Sequence, residues 1–232
     1  MAHGKKYQAV QEKMDPLKVY AFSEAIAFIQ ANPVAKFDES VEIHAHLGIN
    51  TKKNEENVRG TAVLPHGSGR TKKVAVVTST KEKEAKEAGA AHVGGEDLVK
   101  DIKEGKLIPG TDFDLVLATP DMMPKLAQVA KLLGPKGMMP SPKNETVTQK
   151  IGETVEMLSA GKKVSYKNDD TGNIHQVIGR LSFEAAKLEE NLRVFVEALE
   201  KSKPEGLKGK FILSLSLKST MGPALKVTKN QA

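Results

Sequence analysis

The sequence predicts an α+β domain assembled from both ends of the chain, with an α/β domain of Rossmann-like three-layer type inserted between them. Two observations carry that expectation. Near both ends apolar residues alternate with polar ones, while the middle holds short apolar runs without alternation. Alternating strands belong to an antiparallel sheet with helices over one face, and unalternating ones to a sheet buried on both faces. The expected boundaries are residues 1–68 with 160–232 for the first domain and 69–159 for the second.

The elements follow in order. A helix is expected from Phe22 to Gln30, stopped before Asn32-Pro33. Val41, Ile43, Ala45, Leu47 and Ile49 then alternate with Glu42, His44 and His46, as in a strand with one buried face. Val58 to Leu64 fits a strand less cleanly, and Gly67-Ser68-Gly69 marks the crossing into the insert. Val74–Val77 and Phe113–Ala118 are the unalternating runs. Between them come a charged helix near Lys81–Ala88, a short strand near Ala91–Val93 and a helix from Glu96 to about Lys103. A further helix is expected from Asp121 to Leu133, and strand and helix in turn indicate βαβ units. Past Gly161, Val164 and Tyr166 alternate with Lys163, Ser165 and Lys167. Ser182 reads as the N-cap of a helix carrying Leu188, Leu192, Phe195, Val196 and Leu199, which Pro204 ends. Last, Phe211, Leu213, Leu215 and Leu217 alternate with Ser214, Ser216 and Lys218.

Composition narrows the function classes. The 232 residues include 35 Lys and Arg against 29 Asp and Glu, a net charge of +6. The net charge is +1 over residues 1–70, +1 over 71–155 and +4 over 156–232, so the excess lies in the last third. That balance is consistent with a nucleic-acid partner. With no cysteine there is neither a disulfide framework nor a thiolate metal site, which fits a reducing compartment. No apolar run reaches the length of a membrane span and the start lacks the apolar core of a secretory signal, so a cytoplasmic protein without a membrane partner is expected. Ala2-His3-Gly4-Lys5-Lys6 is a basic start of the kind that lies along a phosphate backbone or simply frays.

Enzyme motifs do not emerge. Gly67-Ser68-Gly69-Arg70-Thr71-Lys72 precedes a strand instead of following one, and it lacks the Gly-Lys-Ser/Thr ending of a P-loop and the third glycine of a dinucleotide fingerprint. Gly94-Gly95 is only a tight turn. His44 and His46 have metal-ligand spacing on one strand face, yet the sequence identifies no third ligand, although His66, His92 and His175 are available. They are expected to be exposed or hydrogen-bonded histidines. There is no cysteine nucleophile and no Gly-x-Ser-x-Gly elbow. No catalytic residue, metal, cofactor or small-molecule substrate is therefore expected. A nucleotide-dependent enzyme built on the βαβ domain is the alternative from another class, and a basic scaffold for any polyanion is a third.

Gly134-Pro135-Lys136-Gly137-Met138-Met139-Pro140-Ser141-Pro142-Lys143 is the most distinctive segment. Its glycines and prolines restrict the backbone, two methionines sit where a plain loop has Ser or Asp, and no acidic residue lies between Asp121 and Glu145. From pattern alone it is either a surface shaped for an anion or a stiff connector with solubilising lysines. Aromatic residues make up only 4% of the chain and Trp is absent, so an RNA partner would be read by shape, phosphates and 2′-hydroxyls and not by base stacking.

With Thr146-Val147 following, that segment resembles the signature of the ribosomal protein L-one family, the stalk protein of the large ribosomal subunit. Lys36-Phe37-Asp38-Glu39-Ser40-Val41-Glu42, Asn57-Val58-Arg59-Gly60-Thr61 with Leu64-Pro65-His66-Gly67, Asn168-Asp169 with Thr171-Gly172, and Ser219-Thr220-Met221-Gly222-Pro223 resemble the bacterial form, in the family's order and across essentially the whole chain. The resemblance implies two hinged domains, binding to the stalk of large-subunit rRNA, contact with exit-site tRNA and help in its release, and translational repression through the protein's own operon mRNA. It also implies an RNA-binding surface with Lys36, Phe37 and Ser40 on one edge and Thr220, Met221 and Gly222 on the other. Ser214 and Asp169 lie nearby, and Lys136 and Lys143 form a secondary loop toward RNA or tRNA. In these roles Lys36 neutralises a phosphate, Phe37 and Met221 pack on sugars or a base, the hydroxyls bond ribose, and Gly222 admits close approach. Two positions depart from the pattern: Ser40 stands where Thr is expected, and Glu145 where the loop commonly has Gly, a strained choice if that glycine adopts positive φ.

Overall fold

A computed structural model describes residues 4–53, 56–207 and 209–228. The chain is mixed α/β with several sheets and divides into two compact units, residues 1–69 with 164–232 and residues 70–163. The first stretch carries helix α1 (Lys5–Glu12), strand β1 (Tyr20–Ala21), helix α2 (Phe22–Ala31) and strands β2 (Ser40–Leu47) and β3 (Arg59–Val63). Then come β4 (Val74–Val77), α3 (Glu82–Glu87), β5 (His92–Gly94), α4 (Glu96–Lys103), β6 (Leu115–Ala118), α5 (Met123–Leu126), α6 (Ala130–Leu133) and α7 (Ile151–Ser159). The chain closes with β7 (Lys163–Lys167), β8 (Asn173–Arg180), α8 (Ala185–Lys201), β9 (Ile212–Ser219) and β10 (Leu225–Thr228).

In the first unit the strands run in the order β1-β10-β9-β2-β8, antiparallel except for β1 beside β10. Alternation in β2 works as read: Val41, Ile43, Ala45 and Leu47 are buried in a core with Ile26 and Ile29 of α2 and Leu192, Phe195 and Leu199 of α8. The opposite face of the sheet is polar. The expected strands near 58–64 and 163–167 pair with each other as a separate two-stranded sheet.

Several expectations need correcting. Strand β8, the whole of one flank of β2, has no counterpart among the expected strands, because its alternation breaks where the register shifts between Val41 and Glu42. Leu213 faces solvent, unlike Phe211, Leu215 and Leu217. The pairing steps from His46↔Ser214 to Leu47↔Ile212, and Leu213 is the residue bulged out between them. Ser182 is not an N-cap: α8 starts at Ala185, and the Ser182 hydroxyl donates to Asp38 Oδ2 at 2.9 Å. The expected helix over 121–133 is broken into α5 and α6 flanked by single 3₁₀ turns.

The second unit holds three parallel strands in the order β5-β4-β6. Ala75, Val77, Val116 and Ala118 pack with Leu98, Ile102, Leu126 and Leu133 on one side. Val74, Val76 and Leu117 pack with Ala85, Ile151 and Val155 on the other. Burial on both faces is the reason β4 and β6 are apolar at every position, whereas β5, at one edge, is half-buried and carries His92.

Candidate nucleic-acid interface

Strand pairing builds the site. Because Val41 lies opposite Ser219, the segment entering β2 and the turn leaving β9 share one end of the sheet, although they are about 180 residues apart in sequence. Backbone and side chain interlock there. Thr220 N–H donates to the Ser40 carbonyl at 3.0 Å, and Ser40 N–H donates to Thr220 Oγ1 at 3.0 Å. The Thr220 hydroxyl is thus bound to its neighbour strand as well as facing outward.

Beneath this edge lies Glu39, with 0% of its surface exposed. Its Oε1 accepts from Val34 N–H at 3.0 Å and Ala35 N–H at 2.7 Å, and its Oε2 accepts from Met221 N–H at 2.9 Å. Burial pushes its pKa up, but these bonds, with one from the Ser219 hydroxyl, outweigh burial and hold the carboxyl below its usual range. One ionised group therefore fastens residues 34–40 to the 219–222 turn. Asp38 adds an anchor by accepting from Ser182 N–H at 3.1 Å and from the Ser182 hydroxyl.

With the polar groups engaged below, the apolar ones stand out. Phe37 is 59% exposed and Met221 52%. Lys36, which precedes Phe37 in the chain, is exposed as well. Gly222 has a local reason for being glycine: a Cβ there would lie 2.5 Å from Ser219 Oγ, which accepts the Gly222 N–H at 3.1 Å.

Ser214 is exposed on β9 opposite His46, on the same sheet. Asp169 is half-buried rather than buried, and its donors come from its own turn. Oδ1 accepts from Asn173 N–H at 2.7 Å, Thr171 N–H at 2.9 Å and the Thr171 hydroxyl at 2.8 Å. These bonds, led by that from Asn173 N–H, hold its pKa well below the usual carboxylate range. The outer oxygen, Oδ2, faces His175 Nε2 at 3.6 Å.

The histidines pair across strands instead of along one. His44 Nδ1 lies 2.5 Å from His175 Nδ1, and His46 Nδ1 lies 2.8 Å from Asn173 Oδ1. Burial, then the charges of His175 and Lys218, lower the His44 pKa. Among the described residues no group of three His, Asp or Glu side chains is arranged to hold a metal.

In the second unit the Gly134–Lys143 loop turns its methionines inward, where Met138 and Met139 pack against the core. The Lys136 ammonium donates to the Pro109 carbonyl at 2.6 Å. The side chain of Lys143 lies outside the described residues. Glu145 has φ 51°, alone among the described non-glycine residues in the left-handed region, and pairs with the buried Lys163.

Glu39 is the residue that sequence reasoning missed. It stands inside a motif, but its donors come from residues 34, 35, 219 and 221, and no local pattern announces them.

Residues 28–223 match the profile of the Ribosomal protein L1p/L10e family. The chain is 46% identical to "Large ribosomal subunit protein uL1" of a Thermus thermophilus strain, over 97% of each protein. It is 45% identical to the protein of that name from Kosmotoga olearia, over 96% of this chain and 95% of the relative. For the Mycoplasma capricolum subsp. capricolum protein the figures are 43%, 96% and 97%.

Proposed function

This chain belongs to the Ribosomal protein L1p/L10e family, and we propose that it is a structural constituent of the large ribosomal subunit that binds the stalk region of its rRNA. Members of this family are structural proteins, not enzymes. The observation that carries the reading is the joining of two distant motif segments at one sheet edge by Glu39, with Phe37 and Met221 left exposed above it. Lys36 meets a phosphate, Phe37 and Met221 pack on sugar or base, and Ser40, Ser214, Thr220 and the outer oxygen of Asp169 exchange hydrogen bonds with ribose. Gly222 leaves room for the RNA backbone.

The inserted unit has a Rossmann-like three-layer form in this reading, and the RNA-binding domain comprises residues 1–68 and 160–232 with 69–159 inserted. Through Lys136 and Lys143 the insert adds charge toward RNA or exit-site tRNA, assisting tRNA release. The same edge represses translation by binding the protein's own operon mRNA. The protein acts in the cytoplasm, within the ribosome.

Competition binding of a folded stalk RNA against a scrambled RNA, across a salt series, tests the central claim. Selectivity that survives at high salt is expected. Equal binding to both RNAs, collapsing with salt, would replace it with bulk polyanion binding. For repression, a reporter carrying the operon leader should fall on addition of the protein and recover with Met221→Asp.

A further inference from the structure

We infer that the first turn of α1 and the Thr220–Gly222 turn together form a pocket for one unstacked nucleotide of the bound RNA. The inference rests on the RNA-binding reading above and extends it to the N-terminal helix, which the motif residues do not include.

The groove has a volume of about 560 Å³ and lies between Lys5, Lys6 and Tyr7 on one side and Val34, Met221 and Gly222 on the other. That is within the size range of small-ligand sites, roughly 300–1,000 Å³. Two of its walls are held by the same carboxylate, since Val34 N–H and Met221 N–H both donate to Glu39. The third wall is anchored farther along. Val10 of α1 is buried, Lys13 Nζ donates to Asn32 Oδ1 at 3.1 Å, and Asp15 N–H donates to the Tyr20 hydroxyl at 3.1 Å.

The lining chemistry selects the occupant. Val34, Met221 and the Tyr7 ring offer flat and adaptable apolar surface, as a base needs on its two faces. Lys5 and Lys6 are exposed at the rim and no acidic residue lines the groove among the described residues, so the charges bordering the apolar slot are cations. A slot of that kind suits a flat apolar group carrying negative charge at its edge. A nucleotide has that make-up, with its base on Met221 and Tyr7 and its phosphates toward Lys5 and Lys6. Gly222 has no Cβ to keep the sugar away. Continuity decides the source: Met221 and Gly222 already belong to the proposed RNA edge, so the nucleotide comes from the same RNA chain.

The test uses the full-length protein and a folded stalk RNA, with scrambled RNA as competitor. Tyr7→Ala should weaken stalk binding about fivefold to tenfold with the salt dependence unchanged, because stacking carries no counterion release. Lys5→Gln with Lys6→Gln should flatten the slope of log affinity against log salt by roughly one to two, at about 0.7–0.9 per phosphate contact. A stalk RNA carrying 4-thiouridine at its unpaired positions should photo-cross-link to the peptide containing Lys5–Tyr7. Tyr7→Phe, which keeps the ring, should restore binding; if it does not, the base-stacking role is overturned. If the wild type selects stalk RNA and neither change alters affinity or slope, α1 is not part of the interface and this inference alone is lost. Equal loss toward stalk and scrambled RNA would overturn it too, reducing the lysines to bulk charge. Failure of the wild type to select stalk RNA would take the functional reading down with it.

Discussion

The edge made by the two chain ends and the Gly134–Lys143 loop hold similar residues and use them in opposite ways. Each combines methionine or phenylalanine with lysine and glycine. At the sheet edge a buried carboxylate takes up the backbone donors from beneath, so Phe37 and Met221 face outward. In the loop no buried carboxylate plays that part among the described residues; the Thr146 hydroxyl fastens only Ser141, and Met138 and Met139 are themselves used in packing on the core. Apolar residues in a stiff segment are therefore ambiguous. What marks a presented surface is a polar fastening underneath that leaves the apolar groups no structural task.

Removing the fastening should have the largest effect. Glu39→Ala would leave the N–H groups of Val34, Ala35 and Met221 without their acceptor, at a cost of about 3 kcal/mol or more in urea unfolding. RNA affinity should fall with it, because the two edge segments lose their common anchor. The pH dependence has a definite sign. Glu39 has its folded pKa below the ordinary 4.5, so its stabilisation is present above that value and is lost as pH falls through the folded value. Unfolding measured from pH 6 downward should show the wild type losing stability below about pH 4.5. Glu39→Gln should lose less over that range. Parallel curves for the two proteins would remove Glu39 from this role.

The second experiment sets the two regions side by side. Phe37→Ala and Met221→Asp should each weaken stalk RNA binding by roughly tenfold, about 1.4 kcal/mol, with thermal unfolding nearly unchanged. Met138→Ser should do the reverse, lowering stability by about 1–2 kcal/mol and leaving RNA affinity alone. If Met138→Ser weakened RNA binding as much as Met221→Asp, the contrast between presenting and packing would collapse. Smaller still is Lys136→Gln. Its ammonium has three donors and spends one on Pro109, so it retains charge for a phosphate. Its loss should reduce affinity by no more than about threefold and lower the salt slope by less than about one.

How much of this was legible depends on where the determining partner sits. The α4 helix, the β2 face and the unalternating runs of β4 and β6 could be read because burial there repeats with a local period. Strand β8 and the outward Leu213 could not, because each depends on a register shift produced by the partner strand. The same division holds at the site. Motif resemblance picked out Phe37, Met221 and Gly222, while what makes them neighbours is the bond from Met221 N–H to Glu39, 182 residues apart in sequence. Asp169 shows the local case: Thr171 and Asn173, two and four residues on, donate to one of its oxygens from within the same turn.

Glu145 offers the finest test, because two opposing effects meet in one side chain. Its φ of 51° costs roughly 1 kcal/mol for a residue with a Cβ, and glycine would remove that strain. Glycine would also release more backbone entropy on unfolding, which offsets about half of the gain. It would further strip Lys163, only 7% exposed, of its carboxylate partner. Glu145 itself is 63% exposed, so water screens the pair and its contribution is at most about 1 kcal/mol. The sum for Glu145→Gly is therefore close to zero. Glu145→Gln separates the parts, because it keeps the strain and discards the charge, and should destabilise by about 0.5–1 kcal/mol. Glu145→Gly combined with Lys163→Met removes both the strain and the stranded cation, and should be the most stable of the three variants. A Glu145→Gly protein as unstable as Glu145→Gln would mean that the left-handed backbone is imposed by the prolines around it and costs glutamate nothing. The loop would then be rigid through its own covalent restrictions, whereas the sheet edge is held by hydrogen bonds centred on the buried Glu39.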